Sequence, residues 1–313
     1  WLFTKPRWAL ISLLTMVLAY KPFSKVVPFR FSSSFNKVRS KASLRIMSWN
    51  VASFNIRFEK EHPEVKPQMI DLINEYQPDI ACFQEMVCED GDEHMIGHVD
   101  DYMKQLEFTN YFYAYNPKDD YKRPAHFGIM IFSKFPIINR KTLPDTVARY
   151  NDFFQYADIV KGSDTFRVFN IHLQSLRFNK KEFDRIEHPT ADQKDAVKES
   201  ENIISKFKHG FTERKAQADR VHAEIARSPY PVILCGDFND VPNSYAYHTV
   251  GQGLKNAFEE KAVWLGRTFS GIAPTLRIDN IFVDNKMNVE QYLRVRKKLS
   301  DHFPIFSDVS MKK

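Results

Sequence analysis

The chain has 313 residues, of which 43% are hydrophobic, so it can bury a large core in one large or two medium-sized domains. Its 10 glycines and 16 prolines are too few for a fibrous or low-complexity protein, and its three cysteines do not provide a disulfide framework. The net charge of +6 favours anionic partners such as nucleic acid, phosphorylated lipid headgroups or a membrane surface.

The first distinctive segment is apolar. Residues Trp8 to Tyr20, "WALISLLTMVLAY", carry no charge, and their aromatic ends suit a membrane–water interface. The segment is shorter than the ~20 residues that a membrane-spanning helix needs, and no small-residue cleavage site follows it. We expect residues 1–20 to be a membrane anchor, residues 21–44 a basic tether and residues 45–313 a catalytic domain. The alternative is that the segment is a core helix of that domain.

From Arg45 onward, the sequence alternates between strand-like and helix-like segments. Strands are predicted for "RIMSWN", "IACFQE", "YFYAY", "FGIMIFS", "FFQYADIV", "TFRVFNIHL", "PVILCGDFND", "RIDNIFVD" and "FPIFSDVSM". Helices are predicted for Lys66 to Gln77, His98 to Leu106, Ala191 to Phe207 and Glu213 to Arg227. Because no helix separates the strands between residues 111 and 172, a purely parallel sheet is excluded. The pattern predicts an α/β domain of mixed sheets packed face to face, with helices outside.

Polar side chains recur at the ends of these strands or inside their apolar runs. They are Asn50, Glu85, Asn170, His172, Asp237, Asn239, Asp279, Asp301 and His302. Taken singly, such residues are usually turn formers or structural histidines. Taken together they indicate a site, and the charge of Asp279 within "RIDNIF" requires a partner. In a continuing strand, Asp237 and Asn239 would face the same point, because they are two residues apart.

The chemistry of this set is that of phosphate-ester hydrolysis. Carboxylates and amides without a cysteine cluster suit Mg²⁺ or Mn²⁺, and histidines beside carboxylates suit acid catalysis or phosphate contact. The sequence has no glycine-rich phosphate loop, no G-x-S-x-G and no H-E-x-x-H. Hydrolysis assisted by one or two metal ions fits best.

The order of the motifs resembles the endonuclease/exonuclease/phosphatase superfamily, which includes DNase I. The matching segments are "SWNV", "FQEM", "FGIMIFSKFPI", "FNIHLQS", "GDFND", "RIDNIFV" and "SDHFPI", and they span residues 46–306. The resemblance implies a four-layer α/β sandwich, in which two packed mixed β-sheets are flanked by helices. It is strongest to membrane-attached bacterial members.

The same resemblance implies roles for the metal-binding and water-activating residues. Glu85 is expected to be the principal metal ligand, with Asn50 beside it and Asp301 near the metal as a second ligand. Asp237 is expected to orient or deprotonate the attacking water. Asn239 is expected to hold that water or a phosphoryl oxygen.

The remaining roles concern the phosphate and the leaving group. His302, paired with Asp279, is expected to contact the phosphate. His172 is expected to protonate the leaving group or to hold the phosphate, which favours enzymes other than abasic-site endonucleases. Asn170 and Arg177 are assigned to substrate binding.

Three functional hypotheses stay open at this level. The first is a metal-dependent phosphoesterase acting on a membrane-associated or small phosphodiester. The second is a Mg²⁺-dependent nuclease, and the third is a non-catalytic binding module on the same fold. The segment "DVPNSYAY" after Asn239 departs from the inositol-polyphosphate 5-phosphatases. The insertion Lys180 to Lys215 either covers the site or is a solvated surface helix.

The location of the domain relative to the membrane is also open. Seven basic residues lie from Lys21 to Arg45 and two before Trp8, which by itself places the domain in the cytoplasm. If "TKPR" is a short cytoplasmic loop between two membrane helices, the domain lies outside the cytoplasm instead. The membrane-attached relatives have this arrangement. We expect attachment to a bacterial inner membrane with the domain on the extracytoplasmic side.

Overall fold

A computed structural model describes residues 6–30, 34–89, 97–115, 125–143, 154–176, 178, 182, 184, 193–271 and 275–312; for residue 6 and residues 193–200 it describes the backbone only. Within these ranges the chain from Leu44 onward forms two six-stranded β-sheets that pack face to face, with helices on their outer sides. The predicted four-layer α/β sandwich is therefore confirmed.

The first sheet contains the strands that begin and end the domain. Its spatial order is β11-β12-β1-β2-β4-β3, in which β1 and β2 are parallel and the other pairs are antiparallel. The strands are β1 (Leu44–Asn50), β2 (Ile80–Glu89), β3 (Asn110–Tyr115), β4 (Ala125–Ser133), β11 (Met287–Arg294) and β12 (Ile305–Met311).

The second sheet has the order β5-β6-β7-β8-β10-β9, and its one parallel pair is β7 with β8. The strands are β5 (Ile137–Leu143), β6 (Phe154–Lys161), β7 (Asp164–His172), β8 (Val232–Asp237), β9 (Leu254–Asn256) and β10 (Asp279–Asp284).

The helices flank the two sheets, except the first, which is largely exposed. They are α1 (Pro6–Val26), α2 (Val65–Tyr76), α3 (Val99–Gln105), α4 (Gln193–Ala226), α5 (Tyr245–Val250) and α6 (Ala257–Lys261), with a 3₁₀ segment at Ala52–Phe58. Alternation along β1 explains the layers: Leu44 and Ile46 point into the core between the sheets, while Met47 and Trp49 pack under α2 and α3. The opposite face of the second sheet packs against α4 and α5.

The structure differs from the predicted elements in the charged insertion and at the sheet edges. One 34-residue helix, α4, replaces the two predicted helices, and the buried Gly210 lies inside it. A Cβ at Gly210 would lie 2.6 Å from Leu176 Cδ2, so glycine allows the helix to approach the chain after β7. The strands β5, β9 and β11 were not predicted, and β5 has a largely exposed, polar sequence.

The N-terminal segment also differs from the expected boundaries. Helix α1 runs to Val26, so residues 21–26, assigned to the tether, belong to the helix. Its segment Arg7–Val26 has 20 residues, is unburied and has a mean hydropathy of 1.3. It is therefore long and apolar enough to cross a membrane. A signal sequence has the same properties. Residues 34–43 lie on the first sheet, where Arg39 pairs with Asp79 and Asn36 bonds to Gln291.

Candidate active site

Three of the predicted site residues lie in one row across the second sheet. Asp237 ends β8, and the strand register places it beside His172 of β7 on one side and Asp279 of β10 on the other. All three side chains are buried. The row forms because the carboxyl ends of the parallel strands β7 and β8 meet the first residue of the antiparallel strand β10.

The first sheet contributes Asn50 and Glu85 to the same point. Asn50 ends β1, and its Nδ2 donates to Asp237 Oδ2 at 3.1 Å and to Glu85 Oε1 at 3.2 Å. Its Oδ1 accepts from the backbone N–H of Ala52 at 3.1 Å. One amide group therefore joins carboxylates from the two sheets. The predicted site residues Asn50, Glu85 and Asp237 lie together.

Glu85 reaches the site through a bulge rather than at a strand end. Strand β2 continues to Glu89, and its pairing with β4 shifts register between Phe83 and Met86. Glu85 has a φ of 51°, and its side chain is 37% exposed. A β-bulge redirects a side chain in this way, and the carboxylate can reach a ligand in solvent.

His302 and Asp279 form a buried ion pair. The Nδ1 of His302 lies 2.9 Å from Asp279 Oδ2, and its Nε2 lies 3.6 Å from Asp237 Oδ2. Burial lowers the pKa of His302, but the carboxylates of Asp279 and Asp237 outweigh burial and hold that pKa well above its usual value. Burial also raises the pKa of Asp237, an effect that the two nearby histidines only partly offset.

His172 is buried, and its ring faces both carboxylates. Its Nε2 lies 3.7 Å from Asp237 Oδ2 and 3.9 Å from Glu85 Oε1. Within the described part of the chain, neither ring nitrogen has a hydrogen-bond partner. Buried polar groups are nearly always paired, so this imidazole has hydrogen-bonding capacity that its own surroundings do not use.

Asn239 lies beside Asp237, but not for the predicted reason. Strand β8 ends at Asp237, and Asn239 has a φ of 48°, so the two residues do not share a strand face. Instead, the N–H of Asn239 donates to Asp237 Oδ1 at 2.8 Å, and its Nδ2 donates to the carbonyl of Leu173 at 3.0 Å. The turn fixes the Asp237 carboxylate through its second oxygen.

Gly236 allows this strand end to approach β7. Its φ is +155°, and a Cβ there would lie 2.1 Å from the carbonyl oxygen of Ile171. Any larger residue would push β8 away from β7, and Asp237 would move with it.

Asp301 lies at the mouth of the site. It is exposed, and its carboxylate accepts from Ser300 Oγ at 3.1 Å; the same hydroxyl is 2.8 Å from the carbonyl oxygen of Asn50. Glu85 and Asp301 both line a cavity of about 580 Å³. The sequence analysis missed other residues that line it, including Arg57, His62 and Lys298. All three are exposed and lie in segments without hydrophobic periodicity. No sequence pattern therefore identifies them.

Backbone strain is concentrated around this site. Among the described residues, nine other than glycine have a positive φ, and six of these lie after β1, in the bulge of β2 or after β8. They are Ala52, Ser53, Phe54, Asn55, Glu85 and Asn239. Such conformations cost about 1–3 kcal/mol each and occur mainly at functional sites. The sequence does not predict the left-handed residues after Asn50, because that segment contains no glycine.

Asn170 was wrongly assigned to substrate binding. It is completely buried between the sheets, where its Nδ2 donates to the carbonyls of Phe83 and Met130 at 3.0 Å. Its Oδ1 accepts from Gln84 Nε2 at 2.7 Å. Although Asn170 and His172 share a strand face, Asn170 lies two residues deeper and joins the two sheets. Arg177 lies outside the described residues.

Two groups of side chains can hold a divalent cation. In the buried group, Asp237, Asp279 and His302 offer ligand atoms within 4.8 Å of one another. In the more open group, Glu85 and Asp301 line the cavity, and the buried Asn50 bonds to Glu85. Carboxylate and amide oxygens are the ligands that hard cations prefer, so the donor set fits Mg²⁺ or Mn²⁺.

The solved structures that resemble this chain share its fold at low sequence identity. The catalytic domain of human nocturnin with a bound sulfate anion is 18% identical, with a TM-score of 0.60 over 87% of this chain and 94% of that chain. An endonuclease/exonuclease/phosphatase from Bacteroides vulgatus is 18% identical, with a TM-score of 0.61 over 87% of this chain and 100% of that chain. Humanized D. rerio TDP2 is 17% identical, with a TM-score of 0.58 over 87% of this chain and 100% of that chain.

The sequence itself establishes the family. A search of curated proteins found no match. The model of the Endonuclease/Exonuclease/phosphatase family matches residues 47–302, which begin in β1 and end at His302. The chain therefore belongs to the endonuclease/exonuclease/phosphatase family, whose members hydrolyse phosphoester bonds.

Proposed function

We propose that this chain is a Mg²⁺- or Mn²⁺-dependent hydrolase of phosphate esters that directs a water molecule at the phosphorus. The observation that supports it most strongly is the surroundings of Asp237. Its carboxylate bonds to Asn50 and to the Asn239 backbone, and an imidazole nitrogen of His172 and one of His302 lie within 3.7 Å.

Glu85, Asn50 and Asp301 would hold the cation, because Glu85 and Asp301 line the open cavity, Asn50 lies beside Glu85, and all three offer oxygen ligands. When bound, the cation lowers the pKa of a water ligand and stabilises negative charge on the phosphoryl oxygens. Asp279 and His302 are bonded to each other and buried, which favours a role for this pair on the phosphate rather than on the metal.

The chain's own residues divide the proton transfers. Asp237 accepts a proton from the attacking water, because its raised pKa makes it a stronger base than an exposed aspartate. His302, kept protonated by Asp279, binds a phosphoryl oxygen. His172 gives a proton to the leaving oxygen, and Asn239 holds the water or a phosphoryl oxygen.

The proposed substrate is a small or membrane-associated phosphodiester. The exposed helix α1 supports attachment to a membrane, which would raise the local concentration of lipid-borne substrates. The nocturnin domain binds sulfate, which has the shape of phosphate, and this supports an oxyanion site in the family. A nuclease is the alternative, favoured by Arg57, His62 and Lys298 along one side of the cavity.

The test is hydrolysis of bis(p-nitrophenyl) phosphate, sphingomyelin and plasmid DNA by the full chain, each with Mg²⁺ and with EDTA. We expect activity on the phosphodiester that EDTA abolishes. Turnover of DNA alone would replace the proposal by the nuclease hypothesis, and no turnover of any substrate would favour a binding module.

Glu85→Gln tests the metal assignment in the same assay. The amide keeps the shape of the side chain but removes its charge, so the Mg²⁺ concentration for half-maximal activity should rise roughly 10-fold or more. Asp71→Asn, an exposed acidic residue on α2, is the matched control and should leave this concentration unchanged. Full activity of Glu85→Gln at limiting Mg²⁺ would contradict the assignment.

A further inference from the structure

Three exposed apolar side chains lie together beside the end of helix α1. Phe29, Val263 and Trp264 are 68%, 50% and 64% exposed, and we call them the aromatic patch. Residues 29 and 263 form a β-bridge, and the N–H of Trp264 donates to the carbonyl of Pro28 at 3.1 Å. The patch therefore joins the chain leaving the helix to a loop of the catalytic domain.

The end of α1 is fixed to the domain by a buried arginine. Arg277 is completely buried, and its guanidinium donates to the carbonyls of Lys25 and Val26 in the last turn of the helix. The same guanidinium stacks over the ring of Phe258 at 4.1 Å. The last carbonyls of a helix have no partner within it, so Arg277 satisfies them from the domain. This contact excludes a freely moving linker at residues 21–26.

Trp264 holds its exposed position against a backbone cost. Its φ is 74°, which is unusual for a bulky residue and costs about 1–3 kcal/mol. The bond to Pro28 stabilises this conformation, in which the indole is directed away from the domain core. Tryptophan is enriched at membrane–water interfaces, where its ring contacts lipid and its N–H contacts water.

We infer that the aromatic patch inserts into the surface of a lipid bilayer, so that the catalytic domain rests on the membrane in one orientation. The occupant is a bilayer because the patch continues the exposed apolar surface of α1 at the point where the helix would leave the membrane. Phe23 of the helix stacks on Phe29 at 6.5 Å, which makes this surface continuous.

The charges beside the patch favour insertion by apolar contact over attraction to charged lipid. Lys21, Lys25 and Arg30 are near the helix end, but Glu259 and Glu260 line the cleft between the helix and the domain. Since both signs are present, the patch should insert into phosphatidylcholine vesicles, which carry no net charge. The inference rests on the proposed membrane attachment of α1.

The test places a fluorescent probe at single cysteines in the full chain, reconstituted in phosphatidylcholine vesicles that contain a lipid with a shallow nitroxide quencher. The native cysteines Cys82, Cys88 and Cys235 are buried, so an introduced exposed cysteine can be labelled selectively. The probe sites are Trp264→Cys and Phe29→Cys, either of which is sufficient if the other variant does not fold. The matched control is Ile138→Cys, which is 58% exposed on β5, at the sheet edge opposite β9.

A fourth probe at Leu14→Cys, on the exposed surface near the middle of α1, reports attachment of the helix by itself, in vesicles whose nitroxide quencher lies near the bilayer centre. We expect quenching at 264, 29 and 14 and none at 138. Quenching at 14 without quenching at 264 or 29 would overturn the inference and keep the anchor. No quenching at 14 would reject the membrane attachment itself, and with it this inference, but leave the proposed hydrolase chemistry standing.

Discussion

At the scale of single residues, the site depends on side chains that hold one another in place. Asp279 bonds Nδ1 of His302, so the second ring nitrogen is turned toward Asp237. Asn50 holds Asp237 and Glu85 with one amide group. A substitution here changes the charge or direction of a neighbour, and its effect should appear in turnover before it appears in folding.

Asp279→Asn should lower turnover and shift its pH dependence. Without the carboxylate, burial dominates and the pKa of His302 falls. The protonated imidazole is then lost at a lower pH, so the alkaline limb of the kcat profile moves to lower pH. General acid–base groups contribute roughly 10²- to 10⁴-fold, and we expect kcat to fall on the order of 10²-fold.

The measurement is kcat against pH at saturating and at limiting Mg²⁺. The concentration of Mg²⁺ for half-maximal activity should stay constant, because Asp279 supports His302. Equal losses of turnover and of Mg²⁺ affinity would instead indicate that Asp279 is a metal ligand. Asp284→Asn, at the other end of β10, is the control and should change neither quantity.

The sequence predicts which residue types form the site but not how deeply each of these residues is buried. Charged or imidazole groups inside apolar runs, such as Asp279 and His172, are conspicuous because burial requires a partner. Asn170 has the same pattern, and only the packing of the two sheets distinguishes an internal amide from one at the edge. The left-handed run after Asn50 depends on φ values that, apart from Asn55, no residue type in it favours.

At the scale of elements, helix α4 fixes the ends of the two central catalytic strands. Arg214 is buried, and its guanidinium bonds to Asp240 after β8 at 2.9 Å and to the carbonyl of Gln174 after β7 at 2.9 Å. Gln217, one turn further, accepts from the N–H of Gln174 at 2.8 Å. The charged insertion therefore contributes a support beneath the site.

Arg214→Met should destabilise the protein strongly. The apolar side chain fills a similar volume but leaves the Asp240 carboxylate buried without its cation, which costs about 3–5 kcal/mol. Lys215→Met, which breaks an exposed pair with Asp219, should cost less than about 1 kcal/mol. Urea unfolding of both variants measures the difference.

A double variant checks the cause of that loss. Adding Asp240→Asn to Arg214→Met removes the uncompensated charge, so part of the lost stability should return. If the double variant is no more stable than Arg214→Met, the arginine acts through packing and its bond to Gln174 rather than through the charge of Asp240.

Strands and helices were predicted where burial of one face imposes a hydrophobic period on the sequence. They were missed where it does not. Strands β1, β4, β7 and β8 lie inside the sheets and are rich in buried apolar and aromatic residues, which identified them. Strand β5 lies at a sheet edge, and its segment "INRKT" is exposed or half-buried, so it carries no alternation. Two helices were predicted on either side of residues 208–212, but tertiary packing over Gly210 keeps α4 continuous.

At the scale of the whole molecule, the two sheets are joined by polar as well as apolar contacts. Asn170 of the second sheet bonds to Gln84 and to two backbone carbonyls of the first. These bonds fix the relative position of the sheets, and the site is divided between them. The order of strands within each sheet could not be predicted, because periodicity gives the faces of a strand but not its neighbours.

Asn170→Leu should therefore lower stability more than it impairs substrate binding. It removes the side-chain donor to the carbonyls of Phe83 and Met130 and the shortest acceptor of the Gln84 amide, at about 1–3 kcal/mol for each group left unpaired. We expect a lower Tm and a lower kcat with an unchanged KM. A large rise in KM at unchanged Tm would restore the original assignment of Asn170 to the substrate.

The left-handed turn after β1 has a consequence for how this protein can change. Glycine adopts a left-handed backbone at little steric cost, so selection for thermal stability would favour it at the partly exposed Ala52 and Asn55, whereas the buried Phe54 would lose its packing. The chain instead keeps four side chains there, one of which, Phe54, packs on Phe83 and Tyr102. A variant selected for heat resistance alone would lose the rigidity that holds Asn50. Its turnover would fall while its thermal stability rose.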